Sequence, residues 1–503
     1  MFGKERIERY DLIVIGSGAG LNIASQAHAT GMRVALLDDG PLGGTCLNRG
    51  CIPTKIILYP AEVVETLREA EKVGVEASGI KVDFGLIMKR MHDLVDGDVA
   101  QMMRGIDSAE GLDFFNEAGS FVDQKVLKVG DRKITAPTIV IAAGSRESIP
   151  PIDGIEDIGY LTSTTALELK TPPKSLVIVG GGYIAAEMAT FFSAVGTKVK
   201  VVGRNERLVP REEPEVSKEL KRRMKQRMEV HTGMEVVSAG RDEKGKFVSA
   251  KSKRTKKVYR YHGEEVLIAV GRGSNSDLFH PEKTGVEVDK KGWIKVDGYL
   301  RTNVEGIWAL GDAIGRNMFR HTANYEADVV WENMNAESEK KMVELDEHAV
   351  PHAVFSFPEI ASVGLKEEEA VQGTLVVVGE AKYTDAIRGY AMGDEGSFVK
   401  VIVDAETRKI LGAHAIGPHA TAMVQPLVYL MNAGKGTFLP LAKAQTIHPA
   451  IEEIMVRAFG NLRPGKGQES MFEHSHAHHH GHSHGHSHSN SSSHDNPNSK
   501  ERG

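Results

Sequence analysis

Short, unbroken apolar runs recur along the chain, each closed by a glycine cluster or an acidic residue. Residues 10–15 (YDLIVI) lead straight into GSGAG (Gly16, Gly18, Gly20), then a helix-compatible stretch through Ala29, then a second apolar run at 33–37 that ends in Asp38. The pattern returns at 176–179, with Gly180, Gly181 and Gly182, a helical stretch over 183–194 and a further run at 198–202. Runs of this length predict buried strands, and strand, glycine turn, helix, strand is the order of a dinucleotide-binding βαβ unit. In the first unit the glycines permit a tight turn that lets a pyrophosphate rest on the helix N-terminus, while Asp38 would accept hydrogen bonds from a ribose. Leu21 occupies the sixth motif position, normally Gly or Ala, so this fingerprint is imperfect and rests on its context. Two such units imply two dinucleotides, and so a flavoprotein that uses a nicotinamide.

Further on, residues 62–73 read as helix, 138–146 (TIVIAAGSR) as strand, and Pro150-Pro151 as a boundary. Strand patterns follow at 266–272 (VLIAVGR) and 302–312 (TNVEGIWALGD). From about residue 350 the character changes, with strands at 374–378, 399–403 and 409–416 and helices after Thr421 and Pro440. The predicted fold class is α/β, with two Rossmann-like dinucleotide-binding domains followed by an α+β domain. The expected divisions are 1–150, 151–272, 273–346, 347–465 and a tail at 466–503.

Both cysteines of the chain lie in GGTCLNRGCIPTK, as Cys46 and Cys51. They could form one local disulfide. A staple closing so small a loop constrains the unfolded chain little, and a long chain has core enough without it. A pure staple also leaves Gly43, Gly44 and Gly50 unexplained, whereas glycines let the backbone run close to something flat or phosphorylated. A helix beginning near Cys46 would lower the thiol pKa through its N-terminal dipole. The redox reading is therefore preferred. The second nucleotide unit closes on Gly203, followed by Arg204 and Arg207; without a carboxylate for a ribose hydroxyl, this favours NADPH, with NADH the alternative and Glu206 weakening the cationic field.

GGTCLNRGCIPTK resembles the redox-active disulfide motif of the class I pyridine nucleotide-disulfide oxidoreductases, which include lipoamide dehydrogenase, glutathione reductase, mercuric reductase and mycothione reductase. GGGYIAAE, TNVEGIWALGD and IHPAIEE resemble further motifs of the family in its order, and together they cover about residues 8–460. The resemblance implies that the first unit binds FAD and the second NADPH or NADH, that residues 347–465 form a dimerisation domain, and that Cys46 and Cys51 are the redox pair. Cofactor contacts would come from Gly16, Gly18, Gly20, Asp38, Gly44, Thr45, Lys55, Gly144, Asp312, Gly180, Gly182, Tyr183, Glu187, Arg204, Arg207 and Gly271. Tyr183 matches the gate over the flavin, and Glu187 the partner of Lys55. His448 and Glu453 match a catalytic dyad that each subunit of a homodimer lends to the other's active site.

Composition narrows this little further. The 503 residues suggest about three domains, and 41% hydrophobic with 26% charged residues describes a soluble globular protein. No run of about eighteen apolar residues is present, no leader is apparent, and a cytoplasmic location is expected. A net charge of −6 gives no footprint for nucleic acid. Ten of the 21 histidines lie between His474 and His494. His478, His479, His480, His482 and His484 could hold a divalent metal loosely, away from the chemistry.

The expected activity is electron transfer between nicotinamide, FAD, the Cys46–Cys51 pair and a small disulfide or dithiol, a lipoyl group included. Mercuric reductase is disfavoured because its extra cysteine pair is missing and the His–Glu dyad it lacks is present. The alternative class is a flavin-dependent oxidase, quinone reductase or transhydrogenase with an idle disulfide.

Overall fold

A computed structural model of the chain describes residues 7–472; the His-rich tail expected to bind metal lies outside them. The first unit is a five-stranded parallel sheet in the order Ile307–Ala309, Thr138–Ile141, Leu12–Ile15, Val34–Leu37, Leu112–Phe115. Its central strands are buried on both faces, which is why they read as unbroken apolar runs. The edge strand Ile307–Ala309 arrives from far along the chain, so this unit is built from two separate stretches.

The second unit repeats the plan with parallel strands Glu229–Thr232, Lys198–Gly203, Ser175–Val179 and Glu265–Ile268, flanked by an antiparallel three-stranded sheet. In both units the glycine turn passes under a carbonyl at the end of a neighbouring strand. Gly16 (φ 103°) would put a Cβ 2.1 Å from the Ala142 oxygen, and Gly180 (φ 143°) would put one 2.1 Å from the Ala269 oxygen. No side chain fits at either point. The imperfect first fingerprint also has its explanation here. A Cβ at Gly20 would lie 2.7 Å from Val14 Cγ1, so Gly20 supplies the close helix–strand contact and the next position is free to be Leu21, packed against the core.

The third unit is a six-stranded antiparallel sheet carrying helices Ala420–Asn432 and Glu453–Gly460. The strand expected at 374–378 runs instead from Val376 to Lys382 through Gly379. That glycine does not end the strand; it admits the final helix, whose Ala458 oxygen would lie 1.9 Å from an added Cβ. The helical pattern at 62–73 is likewise not a separate element. Helix Cys51–Glu69 runs through it and ends in a short 3₁₀ turn, Ala70–Val73. No helix among the described residues is long and apolar enough to cross a membrane.

The second and third units are tied by a buried charge cluster. Lys400 Nζ lies 2.9 Å from Glu213, 2.8 Å from Glu367 and 3.3 Å from Glu215, and Lys466 adds a 2.6 Å contact to Glu215. Burial pushes the Glu215 carboxyl up, but Lys466 and Lys400 outweigh it and hold its pKa at about 2. Lys400→Met should leave Glu213 and Glu367 buried without a cation and lower stability by about 3–5 kcal/mol, read as a fall in Tm. Because the folded pKa of Glu215 is depressed, the stability it contributes is complete above about pH 4.5. It should drain away as pH falls towards 2, and Glu215→Gln should flatten that part of the stability profile.

Candidate active site

A cavity of about 480 Å³ opens at the C-terminal ends of the first sheet, where Gly16, Asp38 and Gly144 follow successive parallel strands. Asp38 accepts hydrogen bonds from Ser17 N (2.7 Å), Ser17 Oγ (2.6 Å) and Gly40 N (2.9 Å). Ser17 Oγ in turn accepts from Gly43 N at 3.0 Å, which joins the glycine loop to the cysteine segment. Gly44, at φ 66°, presses on the same loop, since its added Cβ would lie 2.9 Å from Gly18 Cα. Glycine loop, strand-end carboxylate and long cavity fit an adenine dinucleotide.

The cysteine segment is two helices, Gly44–Arg49 and Cys51–Glu69, broken at Gly50. Gly50 sits at φ −132°, ψ −115°, and a Cβ there would lie 2.9 Å from the Thr45 oxygen. The break corrects the expectation that a helix starting near Cys46 activates that thiol. Cys51, not Cys46, heads the long helix. Both cysteines are free thiols, and their sulfurs share a hydrogen bond. That bond, with burial and the Cys51 charge, pushes the Cys46 thiol well above its ordinary range. The same bond, aided by Lys55 and the Cys51 backbone N–H against the effect of burial, lowers Cys51 to about 7. The pair therefore ionises at Cys51 while Cys46 keeps the proton.

Lys55 stands one helical turn beyond Cys51, and its Nζ lies 2.9 Å from both carboxylate oxygens of Glu187. Glu187, nearly fully buried on helix Tyr183–Ala194, also accepts from Phe355 N at 3.0 Å. What sequence reading takes for a helix-surface carboxylate thus meets all three units. Tyr183 Oη donates to Glu212 at 2.5 Å, and its ring stacks on His352, with centroids 5.7 Å apart. Glu212 is buried and takes further hydrogen bonds from His352 (2.8 Å) and Ser362 (2.6 Å). Burial pushes Glu212 up, but these donors bring it down to about 2. At the other end of the cavity, Asp312 accepts from Ser145 Oγ at 2.5 Å and lies 3.6 Å from Arg272. Behind it, Gly311 N donates to Glu326, whose carboxyl burial pushes up to about 7.

One cavity therefore gathers Gly16, Gly18, Asp38, Gly44, Thr45, Cys46, Cys51, Lys55, Gly144, Tyr183, Glu187 and Asp312. Gly180, Gly182, Arg204, Arg207 and Gly271 lie outside its lining, in the second unit. Gly180 and Gly182 precede helix Tyr183–Ala194. Arg204 is exposed and Arg207 half-buried at the end of strand Lys198–Gly203. His448 Nδ1 and Glu453 Oε1 are 2.8 Å apart, with Ala450 N also bonded to Glu453. Neither residue is among those lining the cavity, and the His448 side chain is 69% exposed. Among the described residues no group of three His, Cys, Asp or Glu could hold a metal. Sequence reading missed Ser17, Ser145, Arg272, Glu212, His352 and Arg320. Ser17 and Ser145 lie inside recognised motifs and could have been singled out; Glu212 and His352 carry no local signal.

Residues 10–327 match the family described as pyridine nucleotide-disulphide oxidoreductase, and residues 350–459 match its dimerisation domain. The chain is 36% identical over 467 residues to mycothione reductase of Mycobacterium tuberculosis, covering 91% of this chain and 100% of that one. It is 32% identical over 458 residues to dihydrolipoyl dehydrogenase of Bacillus subtilis, covering 88% and 94%. A Cu(II) complex of the HOCl-induced flavoprotein disulfide reductase RclA from Escherichia coli matches with a TM-score of 0.79 at 27% identity, over 90% of this chain and 99% of that one. The chain belongs to the pyridine nucleotide-disulfide oxidoreductases, as an FAD-dependent oxidoreductase acting on sulfur groups with NAD(P)H and carrying the family's dimerisation domain.

Proposed function

We propose that the protein is an NADPH-dependent reductase of a low-molecular-weight disulfide, of the mycothione reductase type, in which Cys46 and Cys51 carry the exchange. The observation that carries the reading is the unequal thiol pair in the cofactor cavity, with Cys51 at about 7 beside Lys55 and Cys46 holding the proton. The full-length match to mycothione reductase and the Gly203, Arg204, Arg207 sequence at the second nucleotide site support the choice of substrate class and of NADPH. FAD, held by the Gly16–Gly18 loop, Asp38 and Asp312, supplies the two-electron relay between nicotinamide and the sulfur pair when bound. Domain divisions near 150, 272 and 346 belong to the same reading.

The residues then work as follows. Cys46, once ionised, attacks the substrate disulfide and forms a mixed disulfide, and the first substrate thiolate leaves with a proton from His448 of the partner subunit. Glu453 holds Nδ1 of that imidazole and leaves Nε2 for the proton. The Cys51 thiolate then displaces the second substrate thiolate and restores the Cys46–Cys51 disulfide. Two electrons pass from the dithiol to the substrate, which ends as two thiols. Lys55, paired with Glu187, keeps positive charge beside Cys51. His448 is exposed and is not among the residues lining its own subunit's cavity, which supports a dyad that acts across a dimer.

Anaerobic titration with NADPH and, in parallel, NADH should give a long-wavelength absorbance band after two electrons, formed faster with NADPH. Bleaching of the flavin without that band would sink the sulfur coupling and leave an oxidase or quinone reductase. Arg204→Ala combined with Arg207→Ala should raise KM for NADPH about tenfold or more and leave NADH unchanged; an equal loss for both would remove the 2′-phosphate assignment. Cys46→Ser should cut disulfide turnover by roughly a thousandfold or more while NADPH still reduces the flavin. His448→Ala should cost about 10²–10⁴-fold in the same assay.

A further inference from the structure

Tyr183 opens the helix that follows Gly180, Gly181 and Gly182, and its side chain lines the cavity of the first unit. A nicotinamide carried on the second glycine turn must pass this ring to reach a group bound in the cavity. What holds the ring comes from outside its own helix. Glu212, only 1% exposed, accepts at Oε1 from Tyr183 Oη (2.5 Å) and His352 Nε2 (2.8 Å), and at Oε2 from Ser362 Oγ (2.6 Å). His352 and Ser362 are register partners on the antiparallel strands Pro351–Val354 and Ile360–Gly364, so the third unit offers both donors from one face of its sheet. The His352 ring stacks on Tyr183, with centroids 5.7 Å apart, and on Phe319 at 5.6 Å. The loop carrying Glu212 is fixed in turn. Val209, β-branched and buried, is held at φ 38°, where its N–H donates to Gly181 O at 2.6 Å and its carbonyl accepts from Glu212 N at 2.9 Å.

We propose that Glu212 and His352 are positioning residues that latch the Tyr183 ring across the approach of the nicotinamide, and so set how readily the second nucleotide site connects with the cavity. This rests on the reading of Tyr183 as a gate. The arrangement suits a latch that releases better than a fixed strut. When the ring swings out, Glu212 keeps His352 and Ser362, so no buried charge is orphaned. His352 likewise keeps Phe319 as a stacking partner. What is given up is one charge-assisted hydrogen bond and one ring contact. The bond has that character because Glu212 stays ionised down to about pH 2, while burial and the Glu212 charge keep Tyr183 protonated. A nucleotide that needs the open form must overcome this preference, and its apparent affinity is reduced by the fraction of enzyme that is open.

The test is calorimetric binding of NADP+ to the oxidised, flavin-replete enzyme, with NAD+ in its place should NADH prove the faster reductant. Tyr183→Phe keeps the ring and removes its bond to Glu212, and should tighten binding about tenfold. Glu212→Gln should tighten it to a similar extent, and the double variant no further, because both changes remove one interaction. His352→Gln, which takes away the stacked ring, should tighten binding about threefold, and unchanged binding there would remove His352 from the latch. Tyr183→Ala separates the proposal from the reading beneath it. Unchanged or weaker binding in Tyr183→Ala would overturn the gate itself. Tighter binding in Tyr183→Ala with none in Tyr183→Phe would leave the gate and overturn the latch, as would a full further gain on adding Glu212→Gln to Tyr183→Phe. Tyr183→Phe leaves Glu212 its two other donors, so it decides the matter alone if Glu212→Gln fails to fold.

Discussion

Backbone pressed on backbone at Gly16 and again at Gly180 is the constraint on which both nucleotide units depend. Each glycine turn runs beneath a carbonyl from the end of a neighbouring parallel strand, Ala142 in one unit and Ala269 in the other. The contact draws the start of the following helix onto the edge of the sheet, where its free N–H groups face the mouth of the crevice. Neither site admits a β-carbon, so the geometry is written into residue choice.

The sulfur pair depends on a third glycine in the same way. Because the helix breaks at Gly50, Cys46 closes from a short helix while Cys51 begins a long one, and one sulfur can donate to the other. The asymmetry is useful chemistry. One thiol is ionised near neutral pH and the other is held as its acid partner, with Lys55 on the side of Cys51. Segment and cofactor loop cannot shift independently, because Gly43 bonds Ser17 and Gly44 rests on Gly18.

Around this centre the three units are locked by buried acids. Glu187 reaches Lys55 and Phe355, Glu212 gathers Tyr183, His352 and Ser362, and Glu213 holds Lys400. Each carboxylate is stripped of water and takes at least one donor from another unit, so separating the second unit from its neighbours would leave buried charge without partners. Tyr183, which the family resemblance matches to a gate over the flavin, is held by the same network that joins nucleotide unit to dimerisation sheet. The His448–Glu453 pair stands apart, formed within a few residues of one another and turned outward.

Much was legible from the chain alone, and for one reason: the informative features are local. Unbroken apolar runs, glycine turns, the spacing of Cys46 and Cys51 and the step from His448 to Glu453 are all fixed within a dozen or so residues, so backbone geometry forces a specific residue type at a known spacing. What only the tertiary structure decided involves residues far apart in the chain. Gly379 as a helix contact inside a strand, Glu187 as the shared partner of Lys55 and Phe355, and Glu212 as the hub for Tyr183 and His352 each depend on what arrives from another element. Burial and charge pairing are properties of the assembled sheet and helices, and no window of sequence contains both partners.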